Sequence, residues 1–316
     1  MTTERQEITV SHARQTSALP GAADRDARER LEAAVGVLSG RRIAVITGAG
    51  ISTDSGIPGY RGAGSTPRTP MTIAQFLNDE AYRKRYWAGS QLGWKRFRAV
   101  SPNVGHRAIA DLEHAGIATG VMTQNVDGLH QRAGSHKVVE LHGSTDRVRC
   151  LRCGQRYSRI AVSDFLERDN PWLAELDDQL LGPDGDVEVT RLDELRIPPC
   201  TVCGGVLRPD IVYFGEFIPP SDGALARGLI SSAGALLIVG SSLVVNSGIR
   251  LLDAAVRRGL PVVIVNRGET RGDTRATVKI DAGASATLAT LAERLGAERL
   301  VPERLDAASS GKAGEL

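Results

Sequence analysis

Two rhythms of apolar and polar residues alternate along the chain. Short, unbroken, β-branched apolar runs occur in RRIAVI just before Thr47, at Ile117–Met122, Val138–Leu141, Ala235–Val239, Pro261–Val265 and Val278–Asp281. Bounded by glycine or polar residues, such runs predict strands buried on both faces of a parallel sheet. Between them, Ala27–Leu38, Asn103–Ala115, Asp222–Ser232, Ser247–Arg258 and Ser285–Leu295 are helical segments. In the first of these, Leu31, Ala34, Val35 and Leu38 recur at helical spacing and stop at Gly40. Strand–helix alternation with right-handed crossovers predicts an α/β fold on a Rossmann-like parallel sheet.

The rhythm breaks twice. Residues 72–98 carry Phe76, Tyr82, Tyr86, Trp87, Trp94 and Phe97 and predict a helical cap with its own core. For each of these rings, packing is the leading reading and lining a substrate channel the second. Residues 149–207 hold all the cysteines around a long acidic, Pro- and Gly-containing middle, and read as a small module inserted into the α/β domain. Ile211–Phe214 is a further β-type run, closed by Gly215-Glu216. The expected organisation is a disordered tail over 1–26, one ordered domain over 27–301 and a loose tail over 302–316. Within that domain the sheet takes 27–71, 99–148 and 208–301.

Composition narrows the classes. A chain of 316 residues, 41% hydrophobic and 24% charged, is that of an ordinary globular protein with room for one large and one small unit. A net charge of +2 gives no reason to invoke nucleic acid or a membrane surface. No apolar run approaches the roughly 18–20 residues of a membrane span. No secretory core is visible, and Glu4, Glu7 and Asp24 argue against a transit peptide, so the cytoplasm is the expected compartment.

The cysteines fall into two C-x-x-C pairs, Cys150/Cys153 and Cys200/Cys203. Two such turns supply the thiolates of a closed tetrahedral zinc site, a structural metal with no open position. Redox dithiols and disulfides are the alternatives. Paired cysteines with no stray thiol in a cytosolic chain favour zinc.

The stretch Thr47–Gly62, TGAGISTDSGIPGYRG, follows the first buried strand. Gly48 and Gly50 permit a sharp turn and close approach to a ligand, and Ile51–Ser55 can open a helix whose N–H groups point at a phosphate. The third glycine of the usual dinucleotide fingerprint is replaced by Thr53, and no acid follows at about 20 residues to hold a ribose. The loop runs on instead through Gly56 to Arg61. This predicts a dinucleotide site without the features of hydride transfer.

Other polar clusters sit at strand ends, where open α/β sheets bind ligands. Gln124, Asn125 and Asp127 offer two amides and a carboxylate, with plain turn chemistry as the alternative. His142 directly follows a strand, and a structural role and a general-base role are both open for it. Gly240, Ser241, Ser242 and Asn266 suit phosphate and ribose contacts. His106 reads as a local hydrogen-bonding residue, since no nucleophile lies near it in sequence.

Taken in order, GAGIS-T-DSGIP-x-YR, TQN-x-DGLH, LHGS, the two C-x-x-C pairs, FGE, GSSL and VN resemble the NAD-dependent protein deacylase family, the sirtuins, over about Leu31–Leu295. RYWAGSQLGW and the V-V-N-S-G run after GSSL are more similar to the class II branch, which includes lipoamidase and deacylase members. The resemblance implies NAD lying between a Rossmann-like sheet and a small zinc and helical domain. It also implies that an acyl-lysine oxygen attacks C1′ of the nicotinamide ribose, with the residue matching His142 as general base. Products would be lysine, nicotinamide and O-acyl-ADP-ribose, so NAD is consumed as a cosubstrate.

By the same resemblance, His142, Asn125 and Asp127 are the catalytic set. Gly48, Ala49, Gly50, Ile51, Asp54, Ile57, Pro58, Tyr60, Arg61, Gln124, Gly240, Ser241, Ser242, Asn266, Arg267, Gly268 and Ala284 match cofactor positions. Val212, Phe214, Gly215 and Val244 match two edges between which a substrate peptide adds as a strand. The implied partners are acyl-lysine proteins, and a monomer is expected. Gly59 stands where most members carry Asp, which removes a carboxylate from the loop. Trp94-Lys95-Arg96-Phe97 lacks the Tyr/Arg pair of desuccinylating members. Mono-ADP-ribosyl transfer and NAD sensing without turnover are the rival functions.

Overall fold

The computed structural model describes residues 20–59, 70–176 and 191–298. Its first half runs α1 (Pro20–Leu38), β1 (Ile43–Thr47), α2 (Ile73–Asn78), α3 (Glu80–Ala99), α4 (Val104–His114), β2 (Ala118–Thr123), α5 (Leu129–Arg132) and β3 (Val138–Glu140). The small unit follows with β4 (Gly143–Cys150), β5 (Arg156–Ser158), α6 (Arg159–Asp169) and β6 (Leu207–Ile211). The chain then returns through α7 (Pro220–Ser231), β7 (Ala235–Val239), α8 (Asn246–Arg257), β8 (Val262–Val265), β9 (Val278–Ile280) and α9 (Ala284–Arg294).

Six strands form a parallel sheet in the order β3-β2-β1-β7-β8-β9. The chain builds outward from β1 to β3, then restarts on the other side of β1 at β7. The gap between the C-terminal ends of β1 and β7 is therefore the topological switch point, where such sheets take their ligands. Every residue of β1, β7 and β8 is buried, because helices cover both faces. Ile43, Val45, Leu237 and Val263 face Leu38 of α1, Ile109 and Leu112 of α4 and Leu288 of α9. Ala44, Ile46, Leu236 and Ile238 face Ile230 of α7 and Leu252 of α8. Among the described residues no helix is long and apolar enough to cross a membrane.

Several boundaries differ from the sequence reading. Helix α1 begins at Pro20, inside the expected disordered tail. The stretch Ile51–Ser55 opens no α-helix; two 3-10 turns, Ala49–Ile51 and Thr53–Ser55, end at Gly56 in the left-handed region at φ 90°. That glycine turns the chain away before a second α-turn can close. Strand β6 stops at Ile211 instead of starting there. Residues 212–216 leave the sheet in a turn closed by Glu216 N–H to Tyr213 O at 3.0 Å, with Gly215 at φ 88°.

The cap has no separate core. Trp87 and Ala88 of α3 pack with Val148, Leu166 and Leu207 of the cysteine-bearing unit. Phe76 and Tyr86 of α2 and α3 complete their ring cluster with Tyr213, from beyond β6. Two helices share one seam and cannot enclose this many rings, so the cap borrows the antiparallel β5-β4-β6 sheet as its other wall. The small domain is therefore one unit drawn from two stretches of chain. It joins the large sheet through Leu141-His142, which lie between β3 and β4.

Candidate active site

Three glycines shape the switch point. A Cβ on Gly48 would lie 2.8 Å from Gly240 O, and one on Gly50 would lie 2.7 Å from Gly240 Cα. Gly240 itself stands at φ 62°, and a Cβ there would run into the Ile51 nitrogen. The loops after β1 and β7 thus meet backbone to backbone, tied by Gly50 N–H to Gly240 O at 2.8 Å. The sequence suggested that these glycines let a ligand approach. What they admit first is each other's chain.

Beyond them lies a cavity of about 1230 Å³. Its wall brings together Gly48, Ala49, Gly50, Gln124, Asn125, His142, Gly240, Ser241, Ser242, Asn266, Arg267 and Gly268. Val212, Phe214, Gly215, Val244 and Gly59 line it as well. Of the remaining expected cofactor residues, Ile51, Ile57 and Ala284 are buried in hydrophobic clusters and Asp54 is exposed. None of these, nor Pro58, is among the lining residues. Tyr60 and Arg61 fall outside the described residues. The glycine loops and the strand-end amides line one cavity, and this donor set fits a dinucleotide with its phosphates at the switch point.

The loop after β2 is fixed from behind. The buried Asp127 accepts Leu129 N–H at 3.0 Å and the Ser52 hydroxyl at 2.7 Å, and Asn125 Nδ2 donates to the same Ser52 oxygen at 3.0 Å. Burial pushes the Asp127 carboxyl up, against these hydrogen bonds, which pull it down. Asp127 does not line the cavity. It holds Asn125, which does.

His142 is half-buried on the joint between the two sheets. Its Nδ1 lies 2.9 Å from the Gln124 carbonyl oxygen and its Nε2 lies 2.9 Å from Ser247 Oγ. Burial lowers the imidazole below its ordinary range, with the Gln124 carbonyl acting the other way. A neutral ring with a free lone pair is what a general base requires. His106 is fully buried, with Nδ1 3.4 Å from the Asn103 nitrogen, as its sequence reading expected.

The two edges expected to take a peptide are also held. Buried Arg208 forms a two-pronged pair with Glu216, both contacts 2.7 Å, and Glu216 accepts Tyr213 N–H at 2.8 Å. On the opposite edge Leu243 adopts the left-handed region at φ 56°, which buries its side chain and leaves Val244 44% exposed. Arg271 Nη1 donates to Val244 O at 2.7 Å. Sequence reasoning missed Ser52 and Ser247, whose partners are distant in the chain, and Arg208, whose partner Glu216 lies eight residues on. It also left Arg85, Arg227 and Arg250 unassigned, and these line the cavity together with Tyr82, for which packing is the leading sequence reading.

The four cysteine sulfurs lie within 4.8 Å of one another, with Cys150–Cys203 at 3.5 Å and Cys153–Cys200 at 3.6 Å. Zinc–sulfur bonds of about 2.3 Å in a tetrahedron place sulfurs about 3.8 Å apart, so the thiols fit zinc closely. No fifth donor is needed, and none of the four cysteines lines the cavity.

A family model described as the Sir2 family matches residues 48–247. An NAD-dependent protein deacetylase 1 of Mycobacterium avium (strain 104) is 53% identical over 265 residues, covering 83% of this chain and 94% of that protein. A Streptomyces coelicolor protein of the same description is 48% identical over 258 residues, covering 80% and 86%. A solved structure described as Sir2 with a p53 peptide and NAD+ superposes with a TM-score of 0.69 at 33% identity, covering 85% of this chain and 99% of that one. The chain belongs to the Sir2 family.

Proposed function

We infer that this protein is an NAD-dependent protein-lysine deacylase. One observation carries the reading: His142, an imidazole that burial keeps neutral, lines the same cavity as the glycine-lined switch point and the Phe214 and Val244 edges. The switch point suits the pyrophosphate and the edges suit an extended peptide. The base lies where the two would meet.

When bound, NAD supplies the glycosidic carbon at which nicotinamide is displaced by the acyl oxygen. The chain's own part is positioning and proton transfer. Asn125, held by Ser52, presents its amide to the ribose end of the cavity. His142 Nε2 takes up a hydroxyl proton, and the Gln124 carbonyl stabilises the imidazolium through Nδ1–H. Met71, Tyr82 and Tyr86 of the small domain wall the other side and exclude water. The peptide adds between Val212–Gly215 and Val244 as a strand, with Glu216 and Arg208 keeping the first edge in place.

The test is mass spectrometry of an acetyl-lysine peptide incubated with the protein and NAD. Loss of the acetyl group with equimolar nicotinamide supports the reading. Gain of an ADP-ribosyl mass on protein with no acyl loss would assign transferase activity instead. NAD binding without nicotinamide release on any acyl-lysine peptide would leave a sensor.

A further inference from the structure

Both nitrogens of the His142 ring are engaged, and the partners fix which one carries the proton. A carbonyl oxygen only accepts, so the 2.9 Å contact to Gln124 O places the hydrogen on Nδ1. In the neutral ring Nε2 is then a lone pair, and Ser247 Oγ at 2.9 Å must be donating to it. The Ser247 oxygen in turn accepts Gln124 Nε2–H at 3.1 Å, and Gln124 Oε1 accepts the Ser241 hydroxyl at 2.6 Å. Gln124 therefore governs both sides of the base. Its main-chain carbonyl holds one nitrogen directly, and its side-chain amide orients the serine that holds the other.

The fold leaves Ser247 little freedom. It is 9% exposed and is the second residue of α8. A Cβ on the adjacent Gly248 would lie 2.8 Å from Leu243 Cδ2 and 3.3 Å from Gln124 Nε2. The first turn of α8 is thus pressed onto the Gln124 side chain.

We propose that Ser247 is a positioning residue for the general base: its hydroxyl donates to the Nε2 lone pair that the Gln124 carbonyl's hold on Nδ1 leaves, fixes the ring in place and keeps, until cosubstrate binds, the place on Nε2 that a ribose hydroxyl takes. This rests on the deacylase reading. The proton passes from that ribose hydroxyl to Nε2, and the ring becomes an imidazolium. Because the Ser247 oxygen already accepts from Gln124 Nε2–H, its hydroxyl serves the neutral ring as a donor better than it serves the charged ring as an acceptor. No charged side chain enters the balance that sets the His142 proton affinity; burial and the Gln124 carbonyl do. Of the charged groups on the elements that pack here, Glu140 on β3 is paired with Arg147 of β4 at 2.7 Å, and Arg250 on α8 is exposed.

The experiment is a nitrogen-15 NMR titration of His142 in the NAD-free protein, for wild type, Ser247→Ala and Ser247→Thr. Wild type is expected to show the Nδ1–H form and a depressed midpoint. Ser247→Ala is expected to raise the midpoint by about half to one pH unit, because a hydrogen bond to the neutral ring is lost. The Nδ1–H form should persist, since the Gln124 carbonyl still accepts from it, and Ser247→Thr should keep the wild-type midpoint. The same variants in turnover should show a roughly tenfold fall in kcat for alanine, little change in KM for NAD, and an acid limb that moves up with the midpoint. If alanine does not fold, Ser247→Cys, nearly isosteric with a weaker donor, should show the same direction of shift. An unchanged midpoint in the folded alanine or cysteine variant would overturn the proposal. A shifted midpoint in a protein that turns over no acyl-lysine would instead overturn the deacylase reading and leave the positioning role standing.

Discussion

Ser52 donates its hydroxyl hydrogen to the buried Asp127 carboxylate at 2.7 Å, joining the turn after β1 to the loop after β2. Because the same oxygen accepts from Asn125, one hydroxyl sets the height of a cavity-lining amide through a carboxylate that never reaches the cavity. Ser52→Ala leaves a buried carboxylate oxygen without that partner, which costs about 1–3 kcal/mol. The expected result is a lower urea midpoint together with a roughly tenfold loss of nicotinamide release. A variant as stable and active as wild type would remove Ser52 from this account.

The histidines set the pH behaviour. Burial lowers His142 below 6.5, so the acid limb of kcat/KM should lie below 6.5, and the protein should stay active in mildly acidic buffer. His142→Ala should abolish turnover while leaving NAD affinity within about threefold. An acid limb at or above the ordinary imidazole value would show that the titrating base is another group.

Stability responds to the same burial with its own sign. His106 is lowered to about 4 and His130 lies well below 6.5, both chiefly by burial, so the fold keeps them neutral while the unfolded chain takes up protons. Their contribution is complete above about 6.5 and is lost as pH falls toward 4. For His106 alone the loss approaches about 3 kcal/mol across that window. Thermal melts between pH 7 and pH 4.5 should fall steadily. A double variant, His106→Gln with His130→Gln, should show a flatter decline even though it starts lower.

Zinc removal should reach the base without touching it. Cys150 and Cys200 belong to the same core as Trp87 and Val148, and β4 begins one residue after His142. One zinc per chain is expected by elemental analysis. A strong chelator should lower the melting temperature and activity together, with zinc restoring both. A metal-free protein that is equally stable and active would assign the thiols another role.

Glu216 is the exposed half of a pair whose other half is not: the Arg208 side chain is 3% exposed and that of Glu216 22%. Glu216→Ala strands a buried guanidinium and should cost roughly 3 kcal/mol. It also frees the Tyr213–Gly215 turn, so KM for peptide should rise more than KM for NAD. Replacing Arg208 and Glu216 together with Met and Leu should recover stability without recovering peptide affinity.

How far the sequence carried the reading follows the range of each signal. The strand Ala235–Val239 is where its apolar run lies, because burial on both faces writes itself into consecutive residues. The two C-x-x-C turns announced four convergent sulfurs for the same reason: each turn is local, and only the pairing of turns is not. The polar strand ends could be grouped as one site once a parallel sheet was inferred, since such a sheet delivers all its C-terminal ends to one edge.

Other features had no local trace. Ser52 and Asp127 are 75 positions apart, and His142 and Ser247 are 105 apart, so the state of the base depends on two loops that meet only when β7 lands beside β1. The merger of the cap with the cysteine-bearing unit was equally hidden, because a ring's periodicity shows that it is buried but not against what. Composition and pattern determined the sheet and the metal thiols, and the resemblance of the ordered motifs singled out His142. The packing of strand ends, which sets the Gln124 carbonyl against Nδ1, decided which nitrogen of that ring carries the proton.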